Sequence, residues 1–126
     1  MFPKFAYKIA NYQDQSYVYK IIASIYYFNP SESSKNKSLG ISCKEYHKKN
    51  SSGSFEKRFL RFLNSDSRKY MFDSNNVLKL FKLLNNENIS INYMNLFVDL
   101  WLWGDAIRDK YACDYYSINI KDEENI

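Results

Sequence analysis

Lys57, Arg58 and Arg61 stand at positions i, i+1 and i+4, a spacing that turns all three to one outward side of a helix. Lys79 and Lys82, three apart, share the polar stripe of a second predicted helix. The chemistry such groups offer is electrostatic. A guanidinium fork matches phosphate oxygens and stays charged at any working pH, and lysine ammonium groups add point charges. All five lie in a basic window. Residues 35–82 hold twelve of the eighteen Lys and Arg against four acids, net +8, whereas residues 83–126 hold three against eight, net −5. A chain polarised this way can present one cationic surface to a polyanion, and nucleic acid is the first partner to consider. Lys is abundant here alongside Asn, Tyr and Ile, a bias that Arg does not share. Three of the four Arg (Arg58, Arg61, Arg68) fall in the window, and that clustering is the stronger signal. Lys35 and Lys37, on a polar loop, and Arg68 extend the candidate track. For any single lysine the competing reading is a solvated side chain.

Other chemistries find little support. His47 is the one histidine, four residues after Cys43, but a metal site needs two more ligands and no cluster supplies them. There is no Gly-rich phosphate loop, nucleophile elbow or paired-carboxylate motif. A nuclease using His47 with Lys48, Lys49 and Glu56 has no partner pattern behind it. The expectation is therefore a non-enzyme with no metal and no cofactor. Phe59, Phe62 and Trp103 sit at apolar helical spacing and read as core. Trp101 lies off the stripe of Leu96, Leu100 and Trp103, so it is a candidate exposed anchor for a partner protein.

The elements that carry these residues are helical. A chain of 126 residues with 45% apolar and 18% aromatic residues can build one packed interior, and three Gly with two Pro are few for an all-β protein. The fold expected is all-α: a compact bundle of about five to seven helices with a long polar basic loop, as a single domain over 1–126. Residues 4–10 read as a short helix. Ser16 is placed to cap an apolar, buried helix, Tyr17–Phe28, stopped by Asn29-Pro30. Residues 29–53 read as a flexible basic loop region with a short helix at 41–49. Ser54 caps a helix over 55–63 whose apolar face is Phe55, Phe59, Phe62 and Leu63. Further helices are expected from Asp73 or Ser74 to about Leu84, over 91–103 with Gly104 as C-cap, and over about 106–116 after Asp105. Residues 117–126 form an acidic tail. No apolar stretch has the length of a membrane span, and the N-terminus lacks a signal-peptide layout. Two cysteines in no paired motif fit a reducing cytoplasm.

The order of these pieces resembles the CasB family, the small subunit of the type I-E CRISPR surveillance complex, Cascade. A proline–aromatic segment (Pro3, Phe5, Tyr7) precedes the apolar run Ile21–Phe28. A basic loop ends in Ser38-Leu39-Gly40. Then come Glu56-Lys57-Arg58-Phe59, the acidic turn at Asp66, the Leu-rich basic helix Leu78–Leu84, and a run with Leu96, Asp99, Leu100, Trp103 and Gly104. The resemblance covers roughly Phe2 to Tyr116. It implies an all-helical, non-catalytic subunit present in two copies. That subunit would contact the backbones of guide RNA, target strand and displaced strand of the R-loop, together with the other Cascade subunits, in antiviral defence. It also adds Arg108, on the family's basic position in the last helix. Ile41 stands where relatives often carry Arg, a position the resemblance would give a phosphate contact, and family members usually carry further N-terminal helical sequence. The alternative is a helical interaction module without nucleic-acid binding, docking through its C-terminal aromatic helix.

Overall fold

Tyr17–Phe28 belongs to a longer helix than its apolar run suggests. In the computed structural model, which describes residues 4–50 and 53–116 (backbone only for 4–11, 75 and 76), α1 spans Lys4–Phe28. Ser16 does not cap it. The Ser16 hydroxyl donates to the carbonyl of Gln13 at 2.6 Å, which satisfies the side chain without ending the helix. Nor is α1 buried all round. Val18, Ile21 and Ile25 face inward, while Tyr19, Tyr26 and Tyr27 are exposed.

Six helices follow: α2 (Leu39–Lys49), α3 (Gly53–Leu63), α4 (Arg68–Asp73), α5 (Asn75–Asn86), α6 (Tyr93–Trp101) and α7 (Asp105–Tyr116). The fold is all-α, three quarters helical, and the described residues form no strand. One parallel bridge, Glu32 to Ile91, pins the segment after α1 to the start of the α6 region. The acidic tail expected at 117–126 lies outside the described residues.

Capping chemistry sets most boundaries. Ser38 accepts from the Ile41 amide and starts α2 two residues before its expected position. Asn92 accepts from Asn95 N at 3.0 Å and opens α6. Ser54, expected as a cap, lies inside α3. The C-cap of α6 is Leu102, two residues before Gly104. Asn88, at φ 56°, takes the left-handed turn between α5 and α6, a conformation that Asn tolerates.

Two packings carry the core. α1 lies against α4, α5 and α6, and α2 lies along α7. α3 joins them by packing on α5, with Phe62 as the shared knob. Its ring meets Phe81 at 6.4 Å, Trp103 at 5.3 Å and Tyr111 at 6.4 Å. Truncating such a buried ring costs about 3–5 kcal/mol.

The Ser38-Leu39-Gly40 element has a structural reason. Ser38 Oγ donates to Asp114 Oδ2 at 2.5 Å, and a Cβ on Gly40 would sit 2.6 Å from the Tyr111 carbonyl oxygen. Only glycine lets α2 approach the backbone of α7 this closely.

Candidate nucleic-acid interface

Burial of Phe55, Phe59, Phe62 and Leu63 fixes the rotation of α3. The opposite side, with Lys57, Arg58 and Arg61, must then face outward. α5 is fixed likewise by Val77, Leu80, Phe81 and Leu84, leaving Lys79 and Lys82 exposed. Packing α3 on α5 sets Lys57, Arg58, Arg61 and Lys79 around one shallow depression of about 330 Å³, with Ser54 at its rim. Among the described residues no acid lines it, and these four side chains make no ion pair there. Four uncompensated cations on one concave surface raise the local potential and attract a polyanion.

Two further depressions continue from it. Arg61 is shared with one lined by Asn64, Asp66, Ser67 and Tyr70. Ser67 is shared in turn with one lined by Gln13, Asp14, Ser16, Tyr17, Lys20 and Lys69. Lys69 is held by Asp73 at 3.2 Å in an exposed i,i+4 pair, and the Lys20 Nζ lies 4.9 Å from the Tyr17 ring centroid.

The other candidates fall elsewhere. Lys82 is exposed, with Nζ 4.3 Å from the ring centroid of Phe28. Lys35 is exposed on the segment before α2, where its carbonyl accepts from Asn92. The Lys37 ammonium is mostly covered and paired with Glu45 at 3.3 Å.

Arg68 lies apart from this surface. It is buried in α4, with Nε donating to the Leu100 carbonyl at 2.9 Å, one terminal nitrogen to Asp14 at 3.1 Å and the other to the Trp101 carbonyl at 2.7 Å. Every nitrogen of the fork is engaged in tying α1, α4 and α6 together. Arg108 has both terminal nitrogens bonded, while its buried Nε has no partner among the described residues. The terminal nitrogens donate to Asp105 at 2.9 Å and to the Ser65 carbonyl at 2.8 Å, beside the Trp103 ring.

Trp101 stacks on Phe97 with centroids 6.0 Å apart and meets Tyr19 edge-on. It is half-buried, in an apolar depression completed by Val98 and Leu102. Leu102 is 62% exposed and Met94, on the same helix, 74%. This is more apolar surface than one anchor residue, and it lies on α6 and α1 together.

The residues around His47 each contact a different neighbour. His47 Nδ1 faces the Tyr115 hydroxyl at 3.2 Å, Glu56 accepts from the Tyr116 hydroxyl at 2.7 Å, and Lys49 donates to the Glu87 carbonyl. Cys43 is fully buried, which pushes its thiol pKa far up, whereas His47 is exposed. No group of three or more metal-ligating side chains occurs among the described residues.

The sequence reading missed Asn64, Ser67 and Tyr70 as lining residues because it missed α4. The available signal was the Asn64-Ser65-Asp66-Ser67 run, a turn ending in a cap. Ser67 Oγ indeed accepts from Tyr70 N at 3.1 Å.

The family model for CRISPR-associated protein Cse2 matches residues 2–116, nearly the whole chain. The chain therefore belongs to the Cse2 (CasB) family, the small subunit of type I-E Cascade. No curated protein and no solved structure gives a significant match.

Proposed function

We propose that this Cse2-family chain is a non-catalytic scaffold that holds nucleic-acid backbone without reading sequence. In that role it stabilises the guide RNA–target heteroduplex and the displaced strand of the R-loop during antiviral defence in the cytoplasm. The observation that carries the reading is the acid-free depression lined by Lys57, Arg58, Arg61 and Lys79. Backbone holding needs cations within reach of phosphates and no fixed base code. Lys82 and Lys35 are further exposed cations outside this depression, available to a second stretch of backbone. Lys37, Arg68 and Arg108 act instead through the fold, since their charges are spent on protein partners.

The apolar surface of Tyr19, Phe97, Val98, Trp101 and Leu102 is the face on which this subunit meets protein, either another Cascade subunit or its second copy. The exposed Val98 and Leu102, beside the half-buried Trp101, gain by being covered on assembly. No helix among the described residues is long and apolar enough to cross a membrane, so a membrane-spanning helix is not the alternative use of this face.

The test is a salt titration of binding to unrelated single-stranded sequences. With four phosphates engaged, log K falls against log[salt] with a slope of about −3. Affinity is the same across sequences, and reversing Arg58 and Arg61 to Glu weakens all of them equally. A flat salt response, or binding that survives the double reversal, overturns the reading. Pull-down of protein partners that persists at high salt and after nuclease, and is lost in Trp101→Glu, assigns the second face.

A further inference from the structure

The depression beside the cationic one has a different chemistry. It is roomier, about 500 Å³, and Arg61 is its one cation. Asn64, Asp66, Ser67 and Tyr70 line the rest. Tyr70 is 56% exposed and offers a ring to solvent at the edge of a charged surface. Asp66 is exposed and forms no ion pair among the described residues. A free carboxylate repels phosphate, so a backbone running along Arg58 and Arg61 is not drawn further in this direction. A nucleobase is suited to the same place. It presents a π face to Tyr70, and its edge presents N–H donors to a carboxylate that can only accept. The Asn64 amide can donate to or accept from the same edge.

We propose that this depression is a nucleobase subsite. A strand whose phosphates lie along Lys57, Arg58, Arg61 and Lys79 turns one base onto the Tyr70 ring, and Asp66 accepts from that base's exocyclic amino group. Arg61, common to both depressions, holds the phosphate where the base swings out. The inference rests on the nucleic-acid reading above and adds two properties to it. The ligand is a single strand, because a paired base cannot reach the ring. Bases with an amino group, such as cytosine, are favoured over thymine at this one position, on an otherwise sequence-blind surface.

The test measures binding of the full chain at low salt to three strands of equal length: oligodeoxycytidine, oligothymidine and an abasic strand with the same phosphates. The wild type binds the cytidine strand about tenfold more tightly than the abasic one. Tyr70→Ala abolishes that difference and leaves abasic binding unchanged, while Tyr70→Phe retains it. Asp66→Asn reduces the preference for cytidine over thymidine. Equal affinity of the wild type for cytidine and abasic strands overturns the subsite and leaves the phosphate cradle standing. Equal weakening of both strands by Tyr70→Ala also overturns it, since the ring would then act through the fold. Failure to bind any strand overturns the cradle and the subsite together.

Discussion

Arg61 and Arg68 are seven residues apart, alike in type, and have opposite fates. Arg61 stands on the solvent side of α3, its guanidinium in no ion pair among the described residues, beside Lys57, Arg58 and Lys79. Arg68 points into the junction of α1, α4 and α6, where a carboxylate and two carbonyls take up its whole fork. One region keeps charge available and gains nothing from it within the fold. The other uses charge to add a second donor to two helix-end carbonyls, Leu100, which also accepts from Trp103 N, and Trp101, which also accepts from Gln15. A basic window in sequence is therefore two things in space: a surface that can serve a polyanion and a set of internal struts.

That contrast can be broken most forcefully at the strut. Arg68→Ala removes three side-chain hydrogen bonds and the cation paired with Asp14, leaving that carboxylate only the backbone amides of residues 68 and 69, and is expected to lower unfolding free energy by roughly 3 kcal/mol. Denaturant unfolding checks this, and an unchanged midpoint removes Arg68 from the fold's supports. On the surface, Arg58→Glu with Arg61→Glu is expected to leave thermal stability unchanged or slightly raised, because like charges are separated. Strand affinity should fall about a hundredfold. If that variant unfolds while Arg68→Ala does not, the assignment of the two regions is inverted.

Smaller effects sharpen the picture away from both arginines. Gly40→Ala pushes α2 off α7 and is expected to cost about 2 kcal/mol without altering strand affinity. Tyr111→Phe removes the 2.9 Å bond to the buried Asp99, leaving that carboxylate only Lys110 at 3.4 Å, and is expected to cost about 1–2 kcal/mol.

The smallest change is with pH. Burial, then the bond to Glu56, pushes the Tyr116 hydroxyl up to about 12. Burial likewise raises Tyr93, Tyr111 and Tyr115. The native state keeps protons that the unfolded chain releases near pH 10. Stability is thus full below pH 10 and declines as pH rises toward 12 and beyond. Tyr116→Phe should flatten the first part of that decline in melting temperature. Arginine stays charged throughout, so the Arg58–Arg61 surface retains its charge where the fold weakens.

Several elements were legible from residue order. The face of α3 followed from Phe55, Phe59, Phe62 and Leu63, because a strong apolar stripe leaves one way to bury it. The same stripe turned Lys57, Arg58 and Arg61 outward. α4 was not legible. Six residues are too few for a period to show, and its start depends on the Ser67 cap, its stay in place on Arg68's distant partners. The extent of α1 was hidden too, since Ser16 reads as a cap until its hydroxyl is seen bonded to Gln13.

By itself the sequence determined the helical class, the outward side of α3 and α5, and the polarity of charge along the chain, because these depend on neighbours within one or two turns. Tertiary structure alone decided which cations share a surface. Lys79 joins Arg58 and Arg61 because α5 packs on α3, and Arg68 leaves them because its partners lie 54 and 32–33 residues away. Charge is a local property of the chain, but availability of charge depends on what the folded chain brings within hydrogen-bonding distance of it.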